Sequence, residues 1–344
     1  MARKLLWASL ALAPITFVVD FALHAERTTL FVLAAAALVP LAWLIGEATE
    51  HAGEHTGPTI AGLLNASFGN APELIIALIA VADALPDVVR GSLTGSVVSN
   101  ILLVLGVALI AGGEGKLDRA SLIFQLALVA LAVLAFLVPA VPGWHGDPNR
   151  HSLAIVTAPV AVALLVVYCV YTVYNVRRGR RLHEPTAAGG WSLPAALAAL
   201  GVATLATAGI SEILVHSLDA FAHSAGLSEF FIAAVIVAIV GNAAEHGGAV
   251  VIARRGKIRL ATEIAVSSSA QVALLVTPAV ALLSFVVTPA LPLSFRAVEL
   301  GAMGGAALFV ALVVSDGRAR RWEGYLLVAI YAAVVGGFYA AGNR

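Results

Sequence analysis

The sequence predicts an all-α integral membrane protein of eleven transmembrane helices: an extra first helix followed by two inverted five-helix repeats. Three observations carry this expectation. The chain of 344 residues is 60% hydrophobic and 12% charged, with a mean hydropathy of +0.97. A soluble domain is about 25% charged, so lipid must be the solvent for most of this surface. Apolar segments of spanning length recur along the chain, and a polar pattern, Gly-Asn-Ala-x-Glu, occurs inside two of them, at 69–73 and 241–245.

A bilayer core of about 30 Å needs roughly 20 helical residues. The first such segment, 5–23, follows a charged start, MARK. A signal peptide begins similarly, but no small-residue cleavage site is evident, so the segment reads as a span. Spans two to six are 29–46, 57–82, 89–111, 120–141 and 152–176. The basic stretch RRGRRLHEPTAAGG, 177–190, then reads as a linker. Spans seven to eleven are 191–218, 228–253, 260–286, 296–315 and 323–341. With the N-terminus cytoplasmic, fifteen of the 20 Lys and Arg residues fall in inside segments, as the positive-inside rule requires. The reading is therefore a multi-pass protein of a plasma (inner) membrane, with the C-terminus external. Trp191 and Trp322 fall where interfacial anchors are expected.

The linker divides the chain into a first helix (1–28), a first half (29–176) and a second half (191–344). Each half has five spans. Five is odd, so the second half enters the membrane from the opposite side and the two motifs run antiparallel. Secondary transporters follow this inverted-repeat plan, with the site at the midplane where the repeats meet.

The chemistry of the motifs points the same way. Gly69 and Gly241 allow close helix approach. Pro72 frees a backbone carbonyl one turn before Glu73, a cause of kinking that Ala244 does not supply in the second copy. Asn70 and Asn242 each precede their glutamate by three residues, the same face of a continuous helix. Asn65 lies on the lead-in to the first motif. The following spans add Ser96, Ser99 and Asn100 from GSVVSN, and Ser268 and Gln271 from SSSAQ. Asn100 follows Glu73 by 27 residues and Gln271 follows Glu245 by 26, so four helices are expected to contribute to one site.

Carboxylate, amide and carbonyl oxygens suit a hard cation such as Ca²⁺. A carboxylate at the bilayer centre costs a few kcal/mol, and burial with a like charge nearby favours its neutral form. Glu73 and Glu245 are thus expected to bind either a cation or protons. Competition becomes exchange if the empty, ionised pair cannot switch sides. Glu47, Glu50 and Glu54, with His51 and His55, lie on the inside and could draw cations toward the site. His246, beside Glu245, is a further candidate for the site.

Other classes fit less well. A net charge of zero gives no basis for nucleic-acid binding. The single cysteine, Cys169, permits no disulfide within the chain and no cysteine zinc site, and is expected to be a small buried apolar residue. No H-E-x-x-H or comparable constellation suggests an enzyme, and no cofactor is expected beyond the transported ion. The residues leave open Mn²⁺, Na⁺ or K⁺ in place of Ca²⁺, a cation channel using the same glutamates, and a homo-oligomer.

The stretches GLLNASFGNAPELIIAL (62–78), GSVVSNILLVLG (95–106), FFIAAVIVAIVGNAAEH (230–246) and DG…WEGYLL (316–327) closely resemble the calcium/proton exchangers of the calcium/cation antiporter superfamily. The resemblance covers nearly the whole chain. It implies ten core helices in two inverted repeats plus an extra first helix. It also implies that Glu73 and Glu245 bind Ca²⁺ and carry protons, and that Ca²⁺ is exported against an inward proton gradient. Two positions depart from the pattern: the linker is basic where family members commonly have an acidic segment, and Pro72 stands where Thr is more usual.

Overall fold

The computed structural model describes residues 2–179, 190–287 and 290–342; the side chains of 2–3, 57–59, 62–63, 65–66 and 175–179 lie outside the description. Most of the linker, 180–189, and the side chains of Asn65, Arg177 and Arg178 are therefore not among the described features.

The chain runs α1 (Ala2–Ser9), α2 (Leu12–Phe21), α3 (Arg27–Phe68), α4 (Ala71–Ala82) and α5 (Pro86–Val98). A π-helical stretch, Ser99–Val104, joins α5 to α6 (Leu105–Gly112). The first half ends with β1 (Gly115–Lys116), α7 (Arg119–Gly143) and α8 (His151–Gly179). The second half runs α9 (Leu193–Ala225), α10 (Glu229–Ile232), a π-helical Ala233–Val237, α11 (Ala238–Gly241), α12 (Ala243–Arg254) and α13 (Ile258–Gln271). It ends with a π-helical Val272–Val276, α14 (Thr277–Leu283), α15 (Ala297–Val313), β2 (Arg318–Ala319) and α16 (Arg321–Ala341). Prolines open α4, α5 and α9, at positions where the missing N–H has no helical partner to lose. The side chains of Asp118 and Ser228 cap the backbone N–H of Ser121 (3.2 Å) and Phe231 (3.1 Å).

Among the described residues nine helices are long and apolar enough to cross a bilayer, or ten when the bent pair Glu229–Gly241 and Ala243–Arg254 counts as one. They match ten of the predicted spans to within a few residues, apart from Arg27–Thr56, which runs ten residues past the predicted end of span two, and α9, which runs seven past its own. The remaining one, 57–82, is split between the end of α3 and the 12-residue α4, and neither piece is long enough alone. The 42-residue α3 is not a straight rod. Gly53 and Ala61 would sit about 12 Å apart along a straight helix, yet a Cβ on Gly53 would lie 3.0 Å from that of Ala61. The run therefore turns back on itself between Gly53 and Ala61, an interval in which the sequence has Gly57 and Pro58.

Contacts between loops fall into two sets. On one face, His55 bonds the Trp191 carbonyl, Asp118 pairs with Arg259, and β1 pairs antiparallel with β2. On the other face, Asp83 pairs with His216 (3.0 Å), Trp144 bonds the Phe295 carbonyl (2.9 Å), and Arg296 bonds the Gly342 carbonyl (2.8 Å). Arg90, fully buried, ties this second face together through Asp87 (3.1 Å), Asn149 (3.0 Å), the Pro292 carbonyl (3.3 Å) and Ser294 (3.4 Å). A buried guanidinium is tolerated because its two terminal nitrogens, Nη1 and Nη2, are met by four acceptors, while its Nε–H has no partner among the described residues.

α3 and α9 pack side by side, with Phe31 stacked on Phe221 at one end and Ile45 and Ala48 against Leu200 and Ala203 at the other. The polar core lies beside this pair, among α4, α5, the α10–α12 segment and α13. Cys169 departs from expectation: it is exposed on α8. A small apolar thiol pays no penalty for facing lipid, so the burial preference of soluble proteins does not apply to it.

Candidate cation site

Both Gly-Asn pairs break a helix. α3 ends at Phe68 and α4 starts at Ala71; α11 ends at Gly241 and α12 starts at Ala243, with a 58° bend between them. The two asparagines adopt nearly the same backbone conformation, φ −102°, ψ 14° at Asn70 and φ −92°, ψ 10° at Asn242. This is the sparsely populated bridge region, frequent at functional sites. The continuous helix expected through each motif is therefore absent. Each asparagine is the hinge, and each glutamate is the third residue of a new helix. Proline is not the cause, because the second break has none.

Freed from a helix face, the asparagines reach across the molecule. Asn70 Nδ2 donates to Gln271 Oε1 (2.7 Å), and Asn100 Nδ2 donates to Asn242 Oδ1 (3.3 Å). These two amide pairs are counterparts: Asn242 lies 172 residues after Asn70, and Gln271 lies 171 after Asn100. The motif asparagine of each half thus pairs with the amide on the following span of the other half. Asn242 Nδ2 also donates to Ser96 Oγ (2.9 Å), Asn100 Nδ2 to Ser268 Oγ (2.9 Å), and His246 Nε2 to Asn100 Oδ1 (2.9 Å).

The glutamates flank this lattice. Glu73 is 7% exposed, and its carboxyl carbon would lie 3.6 Å from a Cβ on Gly241, the glycine of the opposite motif. Glu245 is half-buried and accepts a hydrogen bond from Ser268 Oγ. The two carboxylates are within electrostatic reach of each other. Glu73 Oε2 has no hydrogen-bond partner among the described residues. A buried anionic oxygen left so is costly, and a proton or a cation removes that cost. Among the described residues no three His, Cys, Asp or Glu side chains are grouped to hold a metal. Two carboxylates with neutral amide and hydroxyl oxygens fit a hard cation that must also leave.

Of the predicted site residues, Glu73, Glu245, Asn70, Asn242, Ser96, Asn100, Ser268, Gln271 and His246 come together. Ser99 does not join the cross-repeat lattice; its hydroxyl bonds the Ser96 carbonyl (3.3 Å) in its own helix. Glu47 and Glu54 flank His51 at 3.6 and 3.3 Å on the linker-side face, with Glu50 exposed beside them, so all three stand apart from the site. Sequence reading missed Ser92, which lines a small cleft with Glu73, Ser96 and Gly241. Its position four residues before Ser96, on the same helix face, was the available signal. It also missed the π-helical turns, two of which, Ser99–Val104 and Val272–Val276, occupy matching places after Ser96 and Ser268. Such turns are frequent at functional sites.

A family model described as sodium/calcium exchanger protein matches residues 27–177 and 195–340. The chain is 36% identical to the Ca(2+)/H(+) antiporter ChaA of Bacillus subtilis (strain 168), covering 94% of this chain and 95% of that protein. It is 34% identical to the Ca(2+)/H(+) antiporter of Aphanothece halophytica, covering 91% and 90%. Among solved structures it resembles native YfkE, with a TM-score of 0.84 at 32% identity over 97% of this chain and 99% of that one. The fold is also that of the H+/Ca2+ exchanger CAX, with a TM-score of 0.77 at 20% identity over 98% and 91%.

Proposed function

The chain belongs to the sodium/calcium exchanger protein family, and on that premise we propose how its own residues perform the exchange. It is a membrane-embedded Ca²⁺/H⁺ antiporter of the calcium/proton exchanger branch. Glu73 and Glu245 hold either one Ca²⁺ or the protons that replace it. Asn70, Asn100, Asn242 and Gln271 supply neutral oxygens and fix the two hinges, and Ser96, Ser268 and His246 support them. The observation that carries this reading is the pair of matching amide bonds across the halves, 2.7 and 3.3 Å, beside the two glutamates. The halves 29–176 and 191–344 are inverted repeats whose motifs meet there.

Exchange follows from the charge states. Ionised and empty, the pair would carry −2 through the apolar membrane interior, a state too unfavourable to change sides. One Ca²⁺ or two protons neutralises it, so the protein switches only when loaded. The resulting exchange is electroneutral. The basic stretches 177–190 and 254–259 of the sequence support a cytoplasmic N-terminus, and in a plasma membrane an inward proton gradient would then drive Ca²⁺ out. No cofactor is required beyond the ions, and the chain catalyses no covalent step.

In everted vesicles, Ca²⁺ uptake is expected to appear when the lumen is made acid and to collapse when an ionophore dissipates the pH gradient. Uptake that proceeds at the same rate without a gradient would make the protein a channel.

A further inference from the structure

Away from the exchange site, a cavity of about 400 Å³ opens where the first helix meets the α3–α9 pair. Phe17, Asp20 and Phe21 of α2 form one wall; Glu212 and Ile213 of α9 form another; Arg27, at the start of α3, closes the third. It lies on the face of the Asp83–His216 pair, opposite the linker. The first helix can approach this closely because α9 carries Gly209, where a Cβ would come 2.7 Å from the Phe17 ring.

The charges here are unusual for a lipid-facing crevice. Neither Asp20 nor Glu212 makes an ion pair or a side-chain hydrogen bond with any described residue, although both belong to apolar spanning helices. Asp20 is half-buried and Glu212 is exposed, so both carboxylates are open to a cationic group arriving from the membrane surface. Arg27 commits one donor, to the His216 carbonyl at 2.7 Å, and its remaining donors make no bond with described residues. Phe17, Leu30 and Ile213 also line the cavity, and Phe21 on its wall is 73% exposed, so an acyl chain can lie against it. The cavity therefore offers one guanidinium, two carboxylates, the imidazoles of His24 and His216, the latter paired with Asp83, and an apolar wall, within the usual size range of a ligand pocket.

We infer that this cavity binds the headgroup of a zwitterionic aminophospholipid from the leaflet opposite the linker. The phosphodiester sits on Arg27 and the primary ammonium on Asp20 and Glu212. An ammonium with three N–H donors can satisfy both carboxylates by charge-assisted hydrogen bonds. A quaternary ammonium has no such donor, so the pocket discriminates phosphatidylethanolamine from phosphatidylcholine.

The test is native mass spectrometry of the full chain in mild detergent, titrated with phosphatidylethanolamine, phosphatidylcholine and phosphatidylglycerol of identical acyl chains. Wild type is expected to retain phosphatidylethanolamine roughly tenfold better than the other two. Asp20→Asn and Glu212→Gln should bring it down to the level of phosphatidylcholine, whereas Arg27→Gln should weaken all three. Both carboxylate variants should still exchange Ca²⁺ for protons, showing that they fold. Equal retention of the three lipids, or a preference unchanged in Glu212→Gln, would overturn the assignment. Displacement of the lipid by millimolar Ca²⁺ would reassign the cavity to a cation vestibule. Competition by soluble phosphoethanolamine at matched concentration would reassign it to a free zwitterion.

Discussion

Replacing Glu73 or Glu245 with Gln is expected to abolish proton-driven Ca²⁺ uptake while leaving the folded protein intact. Glutamine keeps the size and the oxygen of the side chain but can neither lose a proton nor carry charge. Each substitution therefore cuts the charge facing the cation from −2 to −1. A unit charge pair at 4 Å is worth about 4 kcal/mol at an effective dielectric of 20, and 1.4 kcal/mol is a factor of ten in affinity. Even after heavy discounting for polar surroundings, a loss of about a hundredfold or more in Ca²⁺ binding follows. Stability should not fall, because the amide spares the protein a buried charge. Uptake assays in everted vesicles, paired with thermal melting of the purified variants, separate the two effects. Near-normal uptake in either variant would remove that residue from the site.

A second large effect is expected from a single methyl group at Gly95. A Cβ there would stand 2.0 Å from the carbonyl oxygen of Ala234 and 2.6 Å from its carbonyl carbon. Those atoms are backbone, so no side-chain rotation relieves the clash. α5 would have to move away from the π-helical stretch Ala233–Val237, and Ser96, the next residue, would lose its 2.9 Å bond to Asn242. Overpacking typically costs about 1–3 kcal/mol; here the displaced element also carries the site. Gly95→Ala should therefore lower the melting temperature and silence exchange. Gly337→Ala, at a position with nothing within 4 Å of an added Cβ, should change neither. If Gly95→Ala transports normally, the close crossing of these helices does not hold the site together.

Glu73, Glu245, Ser96, Ser268 and the four amide side chains could be picked out as candidates in the sequence because polar residues inside apolar spans carry a high insertion cost and repeat at matched spacing, although their pairing could not. The hinges were not legible. A Gly-Asn pair in an apolar run looks like close helix packing, and the proline at 72 draws attention to itself. Only the 58° bend at Asn242, with no proline nearby, shows that the asparagine is the turning point in both halves. The same misreading placed Asn and Glu on one helix face, whereas each asparagine in fact reaches into the opposite half. The fold-back inside α3 left only the weak signal of Gly57 and Pro58. Ser99 shows a further limit: a buried hydroxyl next to a site can spend its bond on its own helix, and spacing alone does not reveal which way it turns. Cys169 was misplaced because burial statistics from water do not rank residues whose solvent is lipid.

The most direct test of the central claim is the number of protons moved per Ca²⁺, measured with the purified chain in vesicles under voltage clamp by ionophore. If two glutamates alternate between one divalent cation and two protons, the ratio is two and transport is unaffected by membrane potential. A ratio other than two, or a Ca²⁺ flux that follows the potential, would contradict it.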